Sequence, residues 1–144
     1  EVKPYVPPRY RGRIVLTPAI RSTYYPRRTY QALARQYWEY GAAKGVLFSR
    51  GRPLRPRHFV PSLMVTGGPL LQVVGLVWKP ALWLWRALAL LYVAAGLYTA
   101  RNAARKAGAN PLATFAAMAI MHATYGAGFI AGAWRERQWR STSR

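Results

Sequence analysis

Residues 111–134, PLATFAAMAIMHATYGAGFIAGAW, run without a charge and are closed by Arg135, Arg137 and Arg140. A helix of that length, rising about 1.5 Å per residue, is long enough to cross the roughly 30 Å hydrocarbon core of a bilayer. Its Ala and Gly content and His122 also suit a helix packed on other helices or lying at the interface. Two comparable stretches precede it. Residues 59–78 are also uncharged, with Gly67, Gly68 and Pro69 in the middle, where a kink or a re-entrant turn is expected. After a turn at Lys79 and Pro80, residues 81–100 form the next apolar run, with Arg86 near its start among Trp83, Trp85 and Tyr92. Tryptophans so placed are expected at the headgroup level, with Arg86 snorkelling beside them. Residues 59–134 are therefore read as two or three membrane helices, followed by a basic tail at 135–144. If all three cross, the two ends of the chain lie on opposite sides. If one is re-entrant or interfacial, both ends are cytoplasmic, which the cations of the tail favour.

Residues 1–58 differ in kind. They hold 13 of the 22 Lys and Arg residues, and Arg50, Arg52, Arg55 and Arg57 stand in a proline-containing linker directly before the first apolar run. By the positive-inside rule such a flank is cytoplasmic. RIVLT at 13–17 reads as a short strand ended by Pro18, and 20–25 as a second extended piece ended by Pro26. Thr29 is the expected N-cap of a helix over 30–48, which meets no helix breaker until Gly41 and Gly45 near its end. Tyr30, Leu33, Ala34, Tyr37 and Gly41 recur at three- and four-residue steps as one apolar stripe. Tyr and Trp, Trp38 included, among cations fit an interfacial helix; the same pattern suits a soluble helix covering a sheet. The fold class expected is mainly α and membrane-bound: a short β segment, an amphipathic interfacial helix, then two or three transmembrane helices.

Composition narrows the chemistry. The net charge is +19, with Glu1, Glu39 and Glu136 the only acids and no Asp or Cys. Paired carboxylates and a carboxylate metal cage are not expected from three scattered glutamates, and without Asp or Cys there is no Asp-supported triad, disulfide or thiolate site. His58 and His122 stand alone, so no metal ligands and no catalytic residues are assigned. A charge this positive points to nucleic acid or to anionic lipid. Long uncharged segments between the cations select lipid, and nucleic acid is not expected as a partner. A start at Glu1 without Met leads us to expect a piece of something longer.

Three stretches together resemble a known family: GRIVLTPAIRSTYYPR at 12–27, ARQYWEYG at 34–41 and MHATYGAGFIAG at 121–132. They are similar to the C-terminal part of bacterial family 2 glycosyltransferases of the succinoglycan-biosynthesis type. The resemblance implies the end of a GT-A α/β domain, here the tail within 1–58, followed by a membrane anchor in the bacterial inner membrane. It implies inverting sugar transfer from a nucleotide-sugar to a lipid-linked glycan acceptor. The catalytic domain, with its DxD motif and divalent metal (Mg or Mn), is expected upstream or on a separate chain, and no cofactor is expected on this one. Glu1 does not fit the later acidic motif of the family. Arg35, Gln36, Tyr37, Tyr40 and Gly41 match the motif that closes over donor diphosphate and acceptor, while Glu39 stands where a basic or neutral residue is the rule. Arg can bond a diphosphate, Gln a sugar hydroxyl, and a tyrosine ring offers a pyranose a stacking face. The rival expectation is a non-catalytic membrane subunit that recruits a partner protein or anionic lipid through its basic face.

Overall fold

A computed structural model describes Arg21, Thr23 and residues 27–142. The strand expected at 13–17 lies outside the described residues, as does the extended piece at 20–25 apart from Arg21 and Thr23. The described residues contain no strand. They form four α-helices: α1 (Tyr30–Ser49), α2 (Val60–Val74), α3 (Lys79–Ala107) and α4 (Pro111–Thr142), with one 3-10 turn, Pro56–His58, ahead of α2.

The helix ends follow from local chemistry. Thr29 is extended and its hydroxyl accepts from the Ala32 amide at 3.2 Å, so α1 begins where the sequence puts it. Asn110 caps α4 through its side-chain oxygen, which accepts from the Leu112 and Ala113 amides at 2.8 and 3.3 Å, with Pro111 as first residue. Gly108 closes α3 in the left-handed conformation, at φ 64°. That cap and two further residues turn the chain back, so α4 descends antiparallel to α3, with Tyr92 beside His122 and Gly96 under the Phe115 ring. Both long helices outrun their apolar stretches, and the cations at 101–106 and 135–140 ride on continued helix.

The apolar run at 59–78 is divided. α2 passes through Pro69 and stops at Val74; its 15 residues reach about 22 Å, short of a hydrocarbon core. Residues 75–78 make a turn, and Gly75 lies tight against Leu82 at the start of α3. Two helices, α3 and α4, are long and apolar enough to cross a membrane; α2 is not.

α4 touches every other helix, and its most extensive contact is with α1. The pair is parallel. The Tyr30 hydroxyl donates to the Ala113 carbonyl, the Ser49 hydroxyl to the Ala133 carbonyl and the Arg50 guanidinium to Glu136, so the sequence separation stays at 83–86 along the whole of α1. Glycines permit the approach. A β-carbon at Gly41 or Gly45 would overlap the carbonyl of Tyr125 or Phe129, and one at Gly128 or Gly132 would overlap that of Trp38 or Ala42. Each helix thus supplies a G-x-x-x-G pair to the other. Gly41 and Gly45, read in the sequence as breakers near a helix end, are the buried contact points of an unbroken helix. α4 meets the stripe at its two ends, Tyr30 and Gly41, and also packs on Trp38 and Ala42 beside it.

Small residues make the interior. Ala81, Ala100, Ala104 and Phe129 are the buried hydrophobic residues, joined by Gly41, Gly45, Gly68, Gly126, Gly128 and Gly132, and no large side chain is fully enclosed among the described residues. Most leucines and valines of α2, α3 and the turn between them, with Trp78 and Trp83, face outward, Leu76 and Val77 being 82% and 93% exposed.

Candidate functional site

Of the residues singled out on α1, Gln36, Tyr37 and Tyr40 lie together through spacings of three and four residues, whereas Arg35 stands apart from them, one turn before Glu39. The Gln36 amide donates to the Tyr40 hydroxyl at 2.9 Å, and the Tyr37 and Tyr40 rings meet edge to face at 5.8 Å. Arg35 is 84% exposed and its Nε lies 3.2 Å from Glu39. Glu39 therefore holds the cation that the resemblance would aim at a diphosphate. Directly below this cluster Gly41 sits on α4, so the patch is carried by the tightest helix contact in the molecule.

The residues expected at the membrane interface are placed differently from one another. The Arg86 guanidinium lies over the exposed Trp83 ring, 5.1 Å from its centroid, a cation–π contact. Trp85 is partly buried, its ring seated in the notch at Gly68 of α2. Trp38 exposes its ring while its backbone packs on Gly128.

A second cluster was not singled out in the sequence. Glu136 is only 8% exposed and accepts from Arg50 through both carboxylate oxygens, at 2.9 and 3.3 Å, and from Arg140 at 3.2 Å. Arg140 also reaches the Ser49 carbonyl at the end of α1. The knot ties α1 to α4 where their apolar stretches end. Phe48, Phe59 and Phe129 stack beside one another at 5.3–5.7 Å nearby, where α1, α2 and α4 converge. The signal was available: Glu136 is one of three acids in the chain and stands among three arginines on α4.

Both histidines bond tyrosines. His58 Nδ1 lies 3.2 Å from the Tyr125 hydroxyl, and His122 Nδ1 lies 3.0 Å from that of Tyr92, which joins α3 to α4. Burial, reinforced by Lys44, Arg57 and Arg55, pushes the His58 imidazole below its ordinary value of 6.5. Among the described residues no group of three or more His, Asp or Glu could hold a metal ion. The divalent metal implied by the resemblance has no fitting ligand set here, since both described acids are engaged by arginine. Comparison with protein-family models, with curated proteins and with solved structures finds no match to this chain.

Proposed function

We propose that this chain is an integral membrane unit that anchors an inverting glycosyltransferase and supplies the acceptor-facing surface of its site. The membrane half of the reading is carried by the inverted distribution of side chains: glycine and alanine inside, leucine, valine and tryptophan outside. Burial of each large aliphatic side chain is worth about 1.5–3 kcal/mol in water, and a water-soluble fold would not leave so many of them exposed. In lipid their exposure costs nothing, and close approach of small residues becomes what holds helices together. The glycosyl-transfer half rests on the resemblance at 12–27, 34–41 and 121–132 and draws support from the adjacency of Gln36, Tyr37 and Tyr40. In that role Arg35 releases Glu39 to bond the departing diphosphate, Gln36 orients a sugar hydroxyl, and the tyrosine pair stacks on a pyranose face. A catalytic GT-A domain, a nucleotide-sugar and a lipid-linked glycan are the partners this requires, with the bacterial inner membrane as location.

The pairing of Arg35 with Glu39 favours a second reading, a non-catalytic membrane subunit that recruits a partner protein or anionic lipid through its other cations. One set of experiments separates the two. In membranes containing the full gene product, Arg35→Ala and Gln36→Ala are each expected to lower sugar transfer to a lipid-linked acceptor by about a hundredfold or more. The chain should stay in the pellet after alkaline carbonate washing. Near-normal transfer by both variants overturns the acceptor-side role, and release by carbonate overturns the membrane reading.

A further inference from the structure

Two apolar grooves flank the last apolar turns of α4. One, of about 380 Å³, lies between α2 and α4 against Phe59 and Leu63 and has Arg137 in its lining. The other, of about 420 Å³, lies against Val65 and has Arg135 in its lining. Ile130 and Trp134 border both and form the ridge between them. Both are shallow and open to the surroundings of the helices.

We infer that this ridge binds one anionic diacyl phospholipid, an acyl chain in each groove and the phosphate between Arg135 and Arg137. Three observations converge. First, polarity is graded along α4: the apolar stretch ends at Trp134, whose ring is exposed, and the arginines follow at once, matching a lipid with its tails toward Ile130 and its headgroup beyond Trp134. Second, both arginines are available. Glu136, the acid between them, gives both oxygens to Arg50 and Arg140, and neither Arg135 nor Arg137 has a carboxylate partner among the described residues. Their guanidinium groups suit bidentate bonding to phosphate. Third, the walls suit hydrocarbon. The Thr66 hydroxyl is spent on the Ser62 carbonyl, and the buried Ser62 hydroxyl, without a partner among the described residues, is the one hydroxyl of the linings left open. A peptide would find almost nothing in these grooves to satisfy its backbone, whereas a ligand apolar along its length and anionic at one end needs only what is there.

The inference rests on the membrane reading, and its test fails separately from that reading. The full chain, delipidated in detergent, is titrated with dioleoyl phosphatidylglycerol or dioleoyl phosphatidylcholine, and bound lipid is counted by native mass spectrometry. One phosphatidylglycerol should be retained roughly tenfold more tightly than phosphatidylcholine. The preference should vanish in R135Q/R137Q, persist in R101Q/R105Q, and resist competition by glycerol phosphate, which has the anion without the tails. Ile130→Trp, which intrudes on both grooves from the ridge between them, should weaken both lipids. Equal binding of the two lipids by the unaltered chain, or equal loss of preference in R101Q/R105Q, overturns the site while leaving membrane insertion standing. Displacement by glycerol phosphate at equal concentration overturns the choice of a lipid over a free phosphate.

Discussion

His58 shows how a single side chain reports on the packing around it. Its ring is partly buried at the junction of the basic linker and α2, bonds the Tyr125 hydroxyl of α4, and feels Lys44 of α1 together with Arg55 and Arg57. Burial and these cations all disfavour the imidazolium, so the folded value lies below the ordinary 6.5. The sign follows: the neutral ring contributes its full stability above the unfolded value, and the contribution is lost as pH falls through the folded one. The melting temperature of the chain in detergent is therefore expected to decline as pH drops from about 6.5 toward 5, and His58→Gln should flatten that part of the profile. A decline of the same size in His58→Gln would assign the transition to another group. Arg35 makes the opposite case. Exposed and held by Glu39 one turn on, it forms the kind of surface pair that adds little stability, so its interest lies in whether a ligand can take it from Glu39.

For the elements, much of the architecture was legible and its assembly was not. Thr29 announced the start of α1 and the apolar runs announced α3 and α4, because caps and uncharged lengths are local properties. Arg35, Gln36, Tyr37 and Tyr40 were picked out together by the resemblance; helical spacing makes neighbours of the last three and leaves Arg35 to Glu39. What covers the stripe on α1 is not local, and periodicity reveals a face without naming its partner. Gly41 and Gly45 misled for a physical reason: in an isolated helix glycine is a weak former, but between two helices it permits backbone contact, and that gain outweighs the propensity. The pattern was visible, since G-x-x-x-G occurs at 41–45 and again at 128–132. Splitting of the 59–78 run was not, because both halves are equally apolar and only the packing of Gly75 on Leu82 shows where the helix ends. The parallel pair can be tested directly. Spin labels at Arg52→Cys and Gln138→Cys should lie close together, while Thr29→Cys and Gln138→Cys should be about 30 Å or more apart, the length of α1. Adding Gly45→Leu, which drives a side chain into the Phe129 carbonyl at a cost of at least about 3 kcal/mol, should broaden and lengthen the short distance. An unchanged short distance in that variant would show that the glycine contact does not hold the pair.

At the scale of the whole molecule, parallel packing decides where the charges go. α1 accompanies α4 from Ala113 to Glu136, so Arg27 and Arg28 stand at the end that carries Arg101, Arg105 and Lys106, while Arg50 and Arg52 stand at the end that carries Arg135, Arg137 and Arg140. With α3 and α4 across a bilayer, α1 crosses with them, because a helix locked to another over its full length shares its tilt. The basic region read in the sequence as one cytoplasmic surface is then divided between two sides, and among the described residues Arg55, Arg57 and Lys79 make the end of Arg50 and Arg135 the more cationic. The cost falls on Arg35, Glu39 and Lys44. A charge at mid-bilayer costs about 2.5–3.5 kcal/mol on insertion scales, but Arg35 and Glu39 neutralise each other at 3.2 Å, and Lys44 lies near enough to the end of α1 to snorkel. The competing geometry lays α1 and α4 together in the interfacial plane, keeping all three charges wet and leaving α3 as the only crossing helix. The chain has no cysteine, so introduced thiols report cleanly. The acceptor-side role of Arg35 and Gln36 requires the interfacial geometry, so in sealed vesicles Arg28→Cys and Arg52→Cys should react with a membrane-impermeant maleimide from the same side. Labelling from opposite sides, one only after permeabilisation, would put α1 across the bilayer with Arg35 out of reach of a nucleotide-sugar and overturn that role.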